Sequence, residues 1–297
     1  MPPHEPAATP PDRLLESLRE DRLWLAVELR PPLVALSGSE GMDAWIDTYH
    51  SVRKLTRQGT HIFMTDRAVG AEEEENLRHL AVNLGPDADK SRLSQFLTAK
   101  HSLDYCLRFS GRALEQGFRS LVVLGGDRHD SIPRCVGHAY QLRQQIRERF
   151  PALILGGWAN PHRDPPRQVE YILDENFCAD FYLTQVVSHY NLRPVEEFLE
   201  ATRRRGVKIP GIFGIFYYRS ANRRTLEALS RFISVPAEDL RRDFNTQDVD
   251  ADTICARSIQ ALWDLGVRKF YISNLDTRTV SQHLSAIAGK LAALIKA

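Results

Sequence analysis

Glu28 interrupts the apolar run Trp24-Leu25-Ala26-Val27-Glu28-Leu29, which Pro31 and Pro32 close. A carboxyl group carried into apolar surroundings resists ionisation and can act as a general acid near neutral pH. Asp127 ends the stretch Leu124-Gly125-Gly126-Asp127. A carboxylate there can recognise a donor edge or stabilise a cation, and the two glycines let a flat ligand approach the backbone. Gln185 sits inside Asp180-Phe181-Tyr182-Leu183-Thr184-Gln185-Val186-Val187, where an unpartnered amide would cost a few kcal/mol. Tyr217 and Tyr218 end Gly211-Ile212-Phe213-Gly214-Ile215-Phe216, and His162 follows Pro161. Thr65, Asp66, Trp158, Asn160 and Asn274 also fall where apolar runs end. Each has an ordinary alternative. Glu28 can pair with Arg30, Asp127 can make a local turn, and a neighbouring strand can satisfy Gln185. His162 can be merely solvated, and one tyrosine or both can belong to the core. No Ser/His/Asp or metal-ligand constellation accompanies them.

The elements that must position these residues alternate along the whole chain. Eight strand-like runs, at 23–29, 61–66, 91–99, 120–127, 152–158, 180–187, 211–218 and 269–275, are each followed by helix-like sequence. Runs such as Leu121-Val122-Val123-Leu124 are continuously apolar, as strands buried on both faces of a parallel sheet should be. Eight such repeats over about 250 residues predict a single (βα)8 TIM barrel of the α/β class. An open doubly wound sheet needs fewer strands and usually a Gly-rich phosphate turn, and neither G-x-G-x-x-G nor a P-loop occurs. Residues 1–20 read as a Pro-rich tail and short helix, with Asp12 as its N-cap, and 21–297 as the catalytic barrel. Barrel chemistry sits at the C-terminal ends of the strands, where the residues above fall.

The balance of 39 basic against 38 acidic residues gives a formal net charge of +1. That argues against a nucleic-acid or anionic-membrane partner. The four cysteines (Cys106, Cys135, Cys178, Cys255) have neither metal-ligand spacing nor the density of a disulfide framework, which suits a reducing cytoplasm. No signal peptide and no membrane span is expected.

Four segments together resemble the methylenetetrahydrofolate reductase family: Val27-Glu28-Leu29-Arg30-Pro31-Pro32, Leu124-Gly125-Gly126-Asp127, Ala179 to Gln185, and Lys208 to Ser220. Each is weak alone, but their order and spacing on strands 1, 4, 6 and 7 make the set specific, and the likeness runs over roughly residues 20 to 295. The resemblance implies a (βα)8 barrel that reduces 5,10-methylenetetrahydrofolate to 5-methyltetrahydrofolate with NADH or NADPH. It further implies that Glu28 is the catalytic acid and that Asp127 binds the pterin and favours positive charge near N5. Gln185 would contact the pterin and nicotinamide, and Tyr218 would pack on the flat ligands where the family usually has Phe. Gly125, Gly157, His162 and Gln185 fall at the implied cofactor-binding positions.

Family members normally carry FAD, and here the chain departs from the pattern. Gly125 stands where the family has Arg, and Phe96 where it has His. Counting back from Gln185, Glu170 and Asp174 occupy the positions of two phosphate-binding cations. Each charge-assisted bond lost is worth about 1.5–3 kcal/mol, and carboxylates oppose a pyrophosphate as well. A shift of three or four residues would bring Arg163 or Arg167 there instead. The expectation is a reductase without flavin, in which NADH or NADPH lies in the vacated pocket. A conventional FAD-dependent reductase and a non-catalytic pterin-binding barrel are the alternatives.

Overall fold

Strands with both faces covered form the centre of the molecule. The computed structural model describes residues 13–32, 36, 38–65, 80–85, 88–126 and 133–296. The strands are β1 (Trp24–Leu29), β2 (His61–Met64), β3 (Leu93–Thr98), β4 (Ser120–Leu124), β5 (Ile154–Ala159), β6 (Phe181–Val187), β7 (Gly211–Phe216) and β8 (Lys269–Ser273). They pair in sequence order, all parallel, and β8 returns to β1 to close the barrel. The chain is a (βα)8 TIM barrel, as the eightfold alternation predicts. Asp66, Asp127, the Pro-rich tail with Asp12, and most of the acidic segment after β2 lie outside the described residues.

The period of two along each strand divides the core into an inner and an outer part. Trp24, Ala26, Phe63, Phe96, Val122, Ile154, Phe181, Leu183, Ile212 and Tyr271 fill the lumen as one cluster. Their strand neighbours Val27, Leu29, Ile62, Leu97, Val123, Phe213 and Ile272 face outward into the larger cluster shared with the helices. The described helices are, in chain order, α1 (Arg13–Arg19), α2 (Gly38–Arg57), α3 (Leu103–Glu115), α4 (Ala139–Arg149), α5 (Pro165–Leu173) and α6 (Arg193–Arg205). They continue with α7 (Arg223–Leu229), α8 (Ala237–Arg241), α9 (Ala251–Asp264) and α10 (Val280–Lys296). Local sequence sets several ends. Ser102 caps α3 by accepting from Tyr105 N, Asp164 and an early proline open α5, and Gly206 at φ 66 stops α6 in the left-handed conformation.

The helix α1 is part of the barrel rather than an appendage to it. Leu14 and Leu18 pack into the lumen cluster, so the helix plugs the end where the strands begin. Lys269, at the start of β8, donates from Nζ to the carbonyls of Ser17, Glu20 and Arg22 and ties the plug in place. The opposite end, where the strands finish, has no such plug among the described residues.

Candidate active site

Period two sends Glu28 inward from β1, above Trp24 and Ala26, toward the open end of the barrel. Its Oε1 accepts a 2.8 Å hydrogen bond from Ser273 Oγ at the end of β8. Glu28 is half-buried, in register with Phe63 across β2. The hydrogen bond found for Glu28 is to Ser273 rather than to Arg30, which is exposed. Two residues before Ser273 on the same inner face, Tyr271 crosses the lumen and donates to Thr184 O at 2.7 Å. Burial drives the Tyr271 phenol well above its ordinary pKa, and the nearby Glu28 carboxylate adds to that.

The bond to Thr184 pins an irregularity in β6. Leu183 pairs with Ile212 and Val186 with Gly214, so β6 carries one more residue than β7 in that interval. This β-bulge re-aims the residues it contains. Thr184 Oγ1 accepts from Gly214 N at 3.1 Å, and any side chain at Gly214 would collide with the Tyr271 phenol 2.5 Å away. Gln185, the second bulge residue, emerges half-buried, with Oε1 accepting from Val186 N at 3.0 Å. The amide oxygen that looked misplaced therefore has a local partner, and the carboxamide stands at the strand ends.

Gln185 lines a cavity of about 910 Å³ between the ends of β4, β5 and β6 and helices α4 and α5. Gly125, Gly126, Trp158, Tyr171 and Phe177 are among its walls. His162 and Tyr218 open instead onto a second cavity of about 310 Å³, with Phe216, Tyr190 and Asp239. The fold thus separates two residues that the resemblance groups with Gln185: Gln185 faces one cavity, and the next residue, Val186, faces the other. His162 Nε2 donates to Val186 O at 2.9 Å, which assigns the ring proton to that nitrogen. Tyr218 is almost fully buried beside Phe216, with ring centroids 4.9 Å apart, and burial raises its phenol pKa strongly.

Geometry also places the remaining named residues. Gly157 faces outward, away from both cavities. Its missing side chain makes room for the Phe177 ring, whose edge would lie 2.5 Å from an added Cβ. Glu170 does not line the cavity; its nearest cation is Arg205 of α6, at 3.9 Å. The phase of α5 presents Arg167, Tyr171 and Asp174 to the cavity. The Asp174 carboxylate is occupied with Asn176, from the backbone N at 2.8 Å and from Nδ2 at 2.9 Å. Phe96 packs in the lumen, 6.5 Å centroid to centroid from Phe63. At Gly125 the space is taken by Arg134, whose Nη1 would lie 3.3 Å from an added Cβ. Tyr217 is the core tyrosine of the pair, and its hydroxyl is bound to Asp252 and His283, each at 2.9 Å. Asn274 adopts φ 73 and donates to Tyr217 O, which makes it a turn residue. Ser273, Tyr271 and Thr184 were not anticipated; inward parity at the end of β8 was the available signal for Ser273. Among the described residues, no group of three or more His, Cys, Asp or Glu could hold a metal ion. None of their helices is long and apolar enough to cross a membrane.

The fold has many solved counterparts. A Clostridium thermocellum protein that binds two copies of 5-methyl-5,6,7,8-tetrahydrofolic acid superposes with a TM-score of 0.64 at 18% identity, covering 94% of this chain and 96% of that one. Ligand-free tryptophan synthase from M. tuberculosis gives 0.52 at 13% identity, covering 95% and 96% of the two chains. An F420-dependent secondary alcohol dehydrogenase gives 0.51 at 10% identity, covering 90% and 99%. At these identities the likeness establishes the barrel and nothing finer. No family model matches the chain, and no curated protein matches it by sequence.

Proposed function

We propose that this chain is a methylenetetrahydrofolate reductase that takes hydride directly from NADH or NADPH, without flavin. The observation that carries the reading is Glu28. It is a carboxyl group inside the barrel mouth, held by Ser273, while Tyr271 on the same strand as Ser273 pins the bulge that presents Gln185 to a dinucleotide-sized cavity. The folate bound by the Clostridium thermocellum barrel supports a folate for this one.

The Glu28 carboxylic acid protonates N10 of 5,10-methylenetetrahydrofolate, and the bond from N10 to the methylene carbon breaks. This leaves a 5-iminium cation, a two-electron acceptor that needs no one-electron carrier. Hydride from the dihydronicotinamide adds to the methylene carbon, so the nucleotide is oxidised as the carbon becomes a methyl group. Glu28 then regains a proton from solvent. Asp127 stabilises the cation, and Gln185 holds the pterin edge. Tyr218 and His162, in the smaller cavity across β6, border the site from the other side.

The family's flavin fits this chain poorly. Arg134 fills the corner over Gly125, Phe96 is committed to the lumen, and Asp174 adds a carboxylate to the wall. One feature favours the flavin-dependent alternative: Arg167 lines the cavity where Glu170 was expected. The test is NADH oxidation with methylenetetrahydrofolate, with and without added FAD, on protein whose visible spectrum has been recorded. Turnover by colourless protein that FAD does not increase is expected. Yellow protein with stoichiometric FAD overturns the flavin-free mechanism, and absence of turnover in both arms overturns the reductase.

A further inference from the structure

Arg143, on α4, is 4% exposed and lines the larger cavity. Its Nε donates to Phe177 O at 2.8 Å, its Nη1 to Val123 O at 3.1 Å, and its guanidinium lies 4.8 Å from the centre of the Phe177 ring. Those contacts fix the group rigidly, but both hydrogen bonds go to neutral carbonyls, and Cys178 only partly offsets the cost of burying the charge. Among the described residues Arg143 forms no ion pair with a carboxylate, and its hydrogen bonds come from Nε and Nη1 rather than Nη2. Burial pulls its pKa from 12.5 to about 10, so it stays charged at neutral pH. A buried cation without a counter-ion is costly. A neutral amide could cap the same two carbonyls without that cost, so capping does not account for an arginine.

A second guanidinium stands at the same strand end. Arg134 donates from Nη2 to Gly126 O at 2.6 Å and lies against Gly125. Both arginines thus grip carbonyls at or beside the β4 terminus, and each guanidinium retains donors beyond those bonds. The one carboxylate on the cavity wall among the described residues, Asp174, already accepts two bonds from Asn176. Aromatic surfaces of Trp158 and Tyr171 complete a site for a ligand that is flat at its ends and doubly anionic between them.

We propose that Arg143 anchors the diphosphate of the nicotinamide dinucleotide in this cavity, with Arg134 reaching it from the Gly125–Gly126 end of β4. The assignment rests on the hydride-donor reading above, but it is tested without folate. NADH fluorescence titrations on the wild-type protein, with inorganic pyrophosphate as competitor, should show displacement. Arg143→Gln should weaken NADH binding about 10- to 100-fold, and Arg143→Lys less, because a point charge replaces the planar fork. Pyrophosphate that fails to displace NADH overturns the proposal. So does an Arg143→Gln protein with an unchanged unfolding midpoint and an unchanged Kd. Should Arg143→Gln fail to fold, Arg134→Gln decides, with an expected loss of at least about 5-fold; an unchanged Kd there overturns the site. Arg143-dependent NADH binding without folate-dependent turnover supports the anion site and defeats the reductase. Pyrophosphate displacing FAD but not NADH overturns the nicotinamide assignment.

Discussion

The two ends of this barrel carry polar groups of similar kind but treat them in opposite ways. At the end where the strands begin, His61 bonds to Ser94 at 2.8 Å, Ser94 bonds to Ser120, and Lys269 reaches three carbonyls of the α1 segment. The partners there come from the protein itself, and α1 closes the lumen above them. At the other end Glu28 is held by Ser273, Gln185 is turned out by a bulge, and the buried Arg143 bonds only to backbone carbonyls among the described residues. Groups satisfied internally contribute to stability, whereas a buried cation such as Arg143 that keeps spare donors suits the ligand proposed above. The division matches the general separation in this fold between a stabilising face and a catalytic face.

Glu28→Gln is the largest way to break the catalytic end. Turnover should fall by roughly 10²- to 10⁴-fold while folate binding and the urea midpoint hold, as read by steady-state rates and equilibrium unfolding. A near-normal rate removes Glu28 as the acid. Lys269→Met attacks the other end and strands three carbonyls. It should cost about 2–3 kcal/mol of unfolding free energy while the rate per folded molecule is kept; a lost rate with retained stability would reverse the comparison.

His61 sharpens the contrast through pH. Burial lowers its pKa from 6.5 to about 3 in the folded protein, so the unfolded chain binds the extra proton between those values. The stability from keeping His61 neutral is complete above pH 6.5 and is lost progressively as pH falls toward 3. Urea unfolding at pH 5 should show a loss of about 2 kcal/mol relative to pH 6.5 that His61→Gln lacks. An equal loss in the variant would place the titration elsewhere. The smallest effect belongs to the exposed pair Arg193–Glu197, 2.9 Å apart on α6. Arg193→Ala should move the unfolding free energy by less than about 0.5 kcal/mol and leave turnover alone; a larger change would mean that neither end of the barrel accounts for the sensitive positions.

Much of this architecture is legible in the amino-acid order. Strands buried on both faces are continuously apolar, so all eight runs can be found, and strand parity with the Pro31–Pro32 stop sends Glu28 into the mouth. Arg143 is not legible, because among Arg143, Arg147 and Arg149 of one helix nothing local marks the one that is buried. The phase of α5 is only partly legible: an ungapped count turns Glu170 and Asp174 to the cavity, whereas the folded segment lines it with Arg167, Tyr171 and Asp174.

The chain by itself determines the α/β alternation, the order of the strands and the inward direction of Glu28, because burial on two faces and a period of two are local properties. Tertiary structure alone decides the β6 bulge, the splitting of Gln185 from Tyr218 and His162 into separate cavities, and the burial of the Arg143 charge on the cavity wall. Each of those depends on which residues of distant strands and helices meet: Tyr271 on Thr184, Phe177 on Arg143, Arg134 on Gly125. Such meetings are set by barrel closure, which no stretch of the sequence contains.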